Sequence, residues 1–352
     1  MIGNFILIFA ISLLVSTIAT AVIISLCRKY SIFDYPTQRK RHKVPTPILG
    51  GTGILVAIWA GIGFSLYYNG DSLAEIKDTI PNILAGSLII YLIGLWDDFR
   101  PLSAWIKLSG QILAGLILFY GGLSIDLISL PAYGSFDVNG FSVIITVLWV
   151  VALSNAINLI DGLDGLAAGV SAIAALSMTV IGLIYSIESI VIISLTLSGA
   201  LLAFWVFNRY PAKIFMGDSG SLLVGYFFAV ISLVVPIKSF TTAALFLPLV
   251  ILGVPLTETL TSIFRRLAAG KNVMKADRRH IYHYLSYAGL SEKQVVVLFY
   301  VLGTIFGIIS VAMSLYSRVL VLTILLLFMV VIFIIYFIFI SRMRKGLRKD
   351  NF

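Results

Sequence analysis

The run FILIFAISLLVSTIATAVIISL, Phe5 to Leu26, carries no charged residue and is followed at once by Arg28 and Lys29. About 20 apolar residues in a helix cross the hydrocarbon core of a bilayer. No basic residue precedes the run. A cleavable signal has the opposite polarity and a shorter apolar region, so the segment reads as an uncleaved helix with its N-terminus outside. Ten more runs follow, at approximately 48–68, 80–96, 104–121, 141–157, 165–185, 189–207, 219–236, 240–262, 294–316 and 319–341. They show little amphipathic period, as lipid-facing helices do. The composition agrees: of 352 residues, 60% are hydrophobic and 12% charged, and the mean hydropathy is +1.05. A soluble domain carries roughly 25% charged residues. The expected fold is an all-α polytopic membrane protein of about eleven transmembrane helices. Residues 1–352 form one integral membrane domain with no soluble insertion and no internal repeat.

Basic residues orient it. Six lie in the first loop (Arg28, Lys29, Arg39, Lys40, Arg41, Lys43), two in the third (Arg100, Lys107) and two in the seventh (Arg209, Lys213). Seven lie in the ninth (Arg265, Arg266, Lys271, Lys275, Arg278, Arg279, Lys293) and five in the tail (Arg342, Arg344, Lys345, Arg348, Lys349). The other side holds only Lys77, Lys238 and Arg318. The positive-inside rule then places the N-terminus out and the C-terminus in, with cytoplasmic loops 27–47, 97–104, 155–165, 208–219 and 264–293. The same rule accounts for the net charge of +9. No basic run is interleaved with aromatics, so no nucleic-acid partner is expected. The single cysteine, Cys27, excludes an intrachain disulfide and a Cys-ligated metal site. The histidines and the tight acidic groups fall in the cytoplasmic loops. The outer acids (Asp71, Glu75, Asp78, Asp126, Asp137, Glu188) are scattered and read as solvated turn residues. Any active face is therefore cytoplasmic.

Four constellations carry chemistry. In the first, Asp97 and Asp98 stand side by side at a helix end, followed by Lys107 and Gln111. Adjacent carboxylates repel and are costly near lipid, unless a cation or a catalytic task stabilises them. The plain alternative is an acidic turn. In the second, which opens at Asn155, the residues Asn158, Asp161 and Asp164 recur every three positions and, if helical, share one face. Such oxygen-bearing side chains suit a hard cation or a nucleotide base and ribose. A capped helix start explains one Asp, but not two with an aligned Asn.

The third, Phe207 to Ser221, includes Asn208 and Phe215 and ends in Gly217-Asp218-Ser219-Gly220-Ser221. At a helix start this offers free N–H groups for a phosphate, with Asp218 placed to hold Mg²⁺. An ordinary Asp/Ser cap is the alternative. The fourth, in the ninth loop, gathers Arg265, Arg278, Arg279, His280, Tyr282 and His283. Arginine and histidine together suit a diphosphate or phosphosugar. Lipid anchoring explains the arginines alone, and a His-x-x-His pair is a weak zinc signal.

These blocks, in this order and spacing, resemble the polyprenyl-phosphate N-acetylhexosamine-1-phosphate transferases. The likeness is strongest to the bacterial undecaprenyl-phosphate GlcNAc-1-phosphate transferases that initiate cell-surface glycans. The first loop, with Pro36 to His42, Thr46-Pro47 and Gly50-Gly51, extends the likeness over nearly the whole chain. It implies a bacterial inner-membrane enzyme that moves N-acetylhexosamine-1-phosphate from a UDP-sugar to undecaprenyl phosphate with Mg²⁺, Mn²⁺ substituting. It leaves room for a homodimer. Asp97, Asp98 and Lys107 take catalytic roles. Asp218, Asn158 and Asp161 take the metal. Asp164, Asn155, Asn208, Phe215, Arg265, Arg278, Arg279, His280, His283 and His42 take substrate. The chain departs from the family's His-x-His-His motif with Tyr282 at the middle histidine, and has Glu258 where relatives often carry Asp.

Phosphoryl transfer is catalysed mostly by positioning and charge stabilisation. Asp97 serves either as general base or as the nucleophile of a two-step route, and both stay open at this stage. Two rival classes compete. A secondary transporter wants ionisable groups at the midplane and internal repeats, and only Glu258 leans that way. A CDP-alcohol phosphatidyltransferase wants Asp-Gly-x-x-Ala-Arg, which Asp161-Gly162-Leu163-Asp164-Gly165 does not continue into.

Overall fold

The computed structural model describes residues 2–36, 44–68, 70–130, 134–234, 285, 289–315 and 323. Nine of the eleven expected runs are α-helices among these residues. They are α1 (Ile2–Tyr30), α2 (Gly50–Tyr68), α3 (Ile80–Phe99), α4 (Ala104–Tyr120), α5 (Ser142–Ile160), α6 (Leu166–Ile184), α7 (Glu188–Asn208), α8 (Gly217–Leu233) and α9 (Glu292–Leu315). Seven are long and apolar enough to cross a membrane, while α4 and α8 are apolar but shorter, at 17 residues each. This is the architecture of an all-α polytopic membrane protein. The expected run at 240–262, and all of 319–341 except residue 323, lie outside the described residues.

The segments joining the helices sort to two ends. At one end, Glu75 accepts from Ser189 Oγ at 3.2 Å, and Asn82 Nδ2 reaches Ile117 O at 3.4 Å. At the other, Pro47 O accepts from Phe215 N at 2.8 Å. A 20-residue helix such as α3 separates the ends by about 30 Å. The second end gathers every described constellation. Two short hairpins, β1 (Phe33–Asp34) with β2 (Thr46–Pro47) and β3 (Leu127–Leu130) with β4 (Gly134–Asp137), cap opposite ends and leave the fold class unchanged. Two of the outer acids, exposed as expected of solvated residues, also accept hydrogen bonds from the protein. Glu75 is one. The other, Asp126, accepts from Ser124 Oγ at 2.7 Å and Ser142 Oγ at 2.6 Å, and so ties the hairpin to α5.

Helix α8 is the hub. Every residue from Ser219 to Leu233 is buried, between α3 and α5 and against α2. Helix α7 packs on α1, α2 and α6, and α9 packs on α6. Lipid is as apolar as leucine, so close packing and interhelical hydrogen bonds hold such helices together. Ser12 Oγ donates to Thr196 O at 2.6 Å and Ser16 Oγ to Ala200 O at 2.8 Å, one turn apart along the α1–α7 seam.

Two helix boundaries correct the expected picture. Helix α3 runs through Asp97 and Asp98 to Phe99, so the acidic pair belongs to its last turn. Helix α5 ends at Ile160, with Asp161 as its C-cap. The single helical face expected for Asn158, Asp161 and Asp164 is broken there. The break falls at Asp161 itself, which leaves helical geometry at φ −79° and ψ 50°, and the turn that follows runs to Gly165, at φ +78°, from which α6 starts.

Candidate active site

Four helices bring their ends together. Asp97 Oδ1 accepts from Leu102 N at 2.7 Å, which closes the turn from α3 into α4. Its Oδ2 lies 3.3 Å from Lys107 Nζ, one turn into α4. The same ammonium donates to Asp218 Oδ2 at 2.8 Å. Asp218 Oδ1 accepts from Asn158 Nδ2 at 3.1 Å, and that amide also donates to Ser221 Oγ at 2.9 Å. Lys107 therefore bridges two carboxylates, and Asp218 joins α4 to α5 from the start of α8. The side chains of Asp97, Lys107 and Asp218 keep 16%, 27% and 25% exposure, enough for a ligand to reach them.

Asp98 points the other way. Its Oδ1 accepts from Asp218 N at 2.7 Å, and its Oδ2 from Ser219 N at 3.2 Å and Ser219 Oγ at 2.6 Å. The free N–H groups of α8, expected to cradle a phosphate, are taken by this carboxylate. A helix N-terminus favours an anion, and here the anion comes from α3. Asp98 was expected in catalysis. In the structure it fixes the first turn of α8 and so aims Asp218. Two glycines make room. A Cβ on Gly94 would lie 2.5 Å from Ser219 Cα, and one on Gly217 would lie 2.5 Å from Asp98 Oδ2.

The turn from Asp161 to Gly165 forms the second half. The Asp161 carboxylate takes no hydrogen bond from the described residues. Part of its surface stays accessible, yet protein atoms crowd it. That burial, followed by the charges of Asp218, Asp98 and Asp164, raises its pKa to about 8. Asp164 Oδ2 accepts from Ala212 N at 2.9 Å.

Three residues expected at the substrate are bonded within the protein. Asn208, 3% exposed, accepts from Gly165 N at 3.1 Å and donates to Ile214 O at 2.9 Å. Asn155 Nδ2 donates to Gln111 Oε1 at 2.7 Å, linking α5 to α4 below Lys107. Phe215, half-buried, pairs its backbone with Pro47 and Gly50 and so docks the first loop. Ser219 and Ser221 were quoted in the motif without a role, although Asp218 and Ser221, three apart on a helix, share a face. His42, Arg265, Arg278, Arg279, His280, Tyr282, His283 and Glu258 lie outside the described residues.

Among the described residues, Asp97 and Asp218 flank Lys107, Asp98 and Asp161 lie close enough to feel the charge of Asp218, and Arg209 and Lys293 line a pocket beside Asp164. Among the described residues, no three Asp, Glu, His or Cys side chains form a closed metal cage. Asp218, with the Asn158 amide on it and Asp161 near it, offers oxygen donors of the kind Mg²⁺ takes, one or two carboxylates with water and substrate phosphate completing the shell.

The described residues thus form a helical membrane protein with an ammonium held between two carboxylates at one end of its helices. Residues 80–236 match glycosyl transferase family 4. The chain is 35% identical over 326 residues to a Bacillus subtilis (strain 168) protein named probable undecaprenyl-phosphate N-acetylglucosaminyl 1-phosphate transferase, covering 92% of this chain and 88% of the relative. It is 32% identical over 310 residues to the decaprenyl-phosphate N-acetylglucosaminephosphotransferase of Mycobacterium leprae (strain TN), covering 82% and 78%. It is 33% identical over 325 residues to the phospho-N-acetylmuramoyl-pentapeptide-transferase of Oceanobacillus iheyensis, covering 86% and 94%. The chain belongs to the polyprenyl-phosphate N-acetylhexosamine-1-phosphate transferases of glycosyl transferase family 4 and is a phosphotransferase. The transporter reading falls away.

Proposed function

We propose that the protein transfers N-acetylglucosamine-1-phosphate from UDP-GlcNAc to undecaprenyl phosphate, releasing UMP and initiating a cell-surface glycan. The observation that carries this reading is Lys107 Nζ between Asp97 and Asp218, open to a ligand. The Bacillus and Mycobacterium relatives, both named for N-acetylglucosamine, favour that sugar over the muramoyl-pentapeptide of the third.

An oxygen of the lipid phosphate attacks the donor's β-phosphorus. The bond from that phosphorus to the bridging oxygen breaks, and UMP leaves with the oxygen. A phosphomonoester's second pKa is about 6, so the acceptor is mostly dianionic at neutral pH and its attack needs no strong base. Lys107 draws the acceptor phosphate to the reacting centre and offsets its charge. Asp97, bonded to Leu102 N and Lys107, orients that ammonium, which favours direct attack over an aspartyl-phosphate route. Asp161 and Asp164 face the donor. Mg²⁺, with Mn²⁺ able to substitute, would be held by Asp218 beside Asn158 and Asp161, and supplies charge neutralisation to the diphosphate. The exposed aromatic rings of Trp96, Phe99 and Trp105, at 57%, 54% and 68%, flank Asp97 and Lys107 where an interfacial belt belongs.

A donor panel tests the reading. UDP-GlcNAc is expected to turn over roughly tenfold or more faster than UDP-MurNAc-pentapeptide, with chelation abolishing UMP release. Equal use of both donors would remove the assignment of the sugar.

The site is placed on the cytoplasmic face of a bacterial inner membrane, in a chain of eleven spans with N-terminus out and C-terminus in. The basic-residue distribution and the two-ended sorting of the loops support this. In a Cys27→Ser background, single cysteines at positions 40 and 275 are expected to label only from the cytoplasm, and one at 75 only from outside. Outside labelling at 275 would refute the topology.

A further inference from the structure

Tyr300 lies on α9, outside the residues that match the family and outside every constellation in the sequence. Its hydroxyl nevertheless reaches the acidic turn. Tyr300 Oη donates to Gly165 O at 2.6 Å and accepts from Trp205 Nε1 at 2.8 Å. Gly165 closes the turn that holds Asp161 and Asp164, and its own N–H donates to Asn208 Oδ1 at 3.1 Å. The N–H of Gly165 is thereby tied to α7, and its carbonyl, which also accepts from Gly169 N at 2.9 Å within α6, is tied to α9.

The ring is seated as firmly as the hydroxyl. A Cβ on Gly169 would lie 2.3 to 2.5 Å from Tyr300 Cε1, Cζ and Oη, and one on Gly165 would lie 3.2 Å from the hydroxyl. Helix α6 thus presents two glycines, one turn apart, as a slot for this side chain. A phenylalanine fills the slot equally well, so packing alone does not call for tyrosine. What tyrosine adds is one donor and one acceptor, and both are used.

We infer that Tyr300 is a positioning residue for the donor. Its hydroxyl holds the Asp161–Gly165 turn at the distance from α9 at which Asp161 and Asp164 face the substrate. The inference rests on the reading of that turn as the donor side of the site. Lys107, Asp97 and Asp218 lie on α3, α4 and α8, none of which Tyr300 bonds. Loss of the hydroxyl therefore weakens donor binding more than it slows the chemical step, in which Asp161 shares through the metal.

The test is Tyr300→Phe in the full-length protein in lipid nanodiscs, read in two ways. Hydrogen exchange over residues 161–169 is expected to speed up roughly five- to tenfold, the scale of one lost hydrogen bond at a local opening. The KM for UDP-GlcNAc is expected to rise by roughly the same factor, with kcat falling by less than the KM rises and the KM for undecaprenyl phosphate within about twofold of wild type. Tyr300→Leu, which also empties the slot, is expected to lower Tm as well, and so shows what a purely structural loss looks like. Wild-type exchange in Tyr300→Phe overturns the inference. So does faster exchange with an unchanged donor KM, which makes the residue structural only. If the wild-type protein releases no UMP from any UDP-sugar, the proposed function fails and takes the donor half of this inference with it. The exchange result still decides whether the hydroxyl holds the turn.

Discussion

Asp218→Asn is expected to lower kcat by roughly 10³-fold at saturating donor and acceptor, the scale of losing a charge contact at a reacting phosphoryl group. Asp218 is where the site is joined. It accepts from Lys107 at 2.8 Å and from Asn158 at 3.1 Å, and its own N–H is held by Asp98. Asparagine keeps the shape and one carbonyl oxygen. That oxygen can still face Lys107, and Asn158 can rotate its amide to accept from the new NH₂ group. The fold is therefore retained, with Tm within a few degrees of wild type, on the order of a 1 kcal/mol change. What is lost is the negative charge that orders the ammonium and would attract a divalent cation. Raising Mg²⁺ or Mn²⁺ is not expected to restore the rate. Steady-state UMP release alongside a thermal melt checks this, and near-wild-type kcat would remove Asp218 from the centre of the mechanism.

Gly94→Ala is expected to be nearly as damaging, although Gly94 touches no substrate. A Cβ there meets Ser219 Cα and N at 2.5 Å and Asp218 C at 2.7 Å, all backbone atoms of the α8 start. They have no rotamer to escape by, so α3 must back away from α8 by about 1 Å to reach ordinary contact distances. Asp98 is one turn further along α3 and holds the same backbone at 2.7 and 3.2 Å. The shift breaks those bonds and moves Asp218 relative to Lys107. A misplacement of that size costs about 10²-fold in rate, and the overpacking lowers Tm. Gly63→Ala on α2, where nothing lies within 4 Å, is the matched control and is expected to change neither. Activity within about threefold of wild type and an unchanged Tm for Gly94→Ala would show that the α3–α8 approach does not set the site.

The helices were legible because their signal is composition summed over some 20 residues, which no single side chain can spoil. Nine runs appear where the sequence puts them, with ends shifted by a few residues. The local conformation of the acidic turn was less legible. A three-residue spacing reads as a helical face, but α5 ends at Ile160 and Asp161, at ψ 50°, has already left it. The residue types of the site were also legible: Asp97, Lys107, Asn158 and Asp218 converge. Their division of labour was not. Adjacent carboxylates look equivalent in sequence, whereas in space Asp97 meets Lys107 and Asp98 meets backbone N–H groups 120 residues away. Asn155 and Asn208 sit in motifs that suggest substrate, yet their amides are bonded within the protein. Tyr300 carried no motif at all, because its partner is a backbone carbonyl, and a carbonyl leaves no trace in sequence.

The identity of the released nucleotide tests the central claim most directly. Purified protein in nanodiscs, given UDP-GlcNAc, undecaprenyl phosphate and Mg²⁺, is expected to yield UMP and a diphosphate-linked lipid sugar in equal amounts, both read by mass spectrometry. Attack at the β-phosphorus requires that outcome. Release of UDP with a monophosphate-linked lipid sugar would place the attack at the sugar carbon and contradict the account. So would the absence of any lipid product from a folded protein supplied with both substrates.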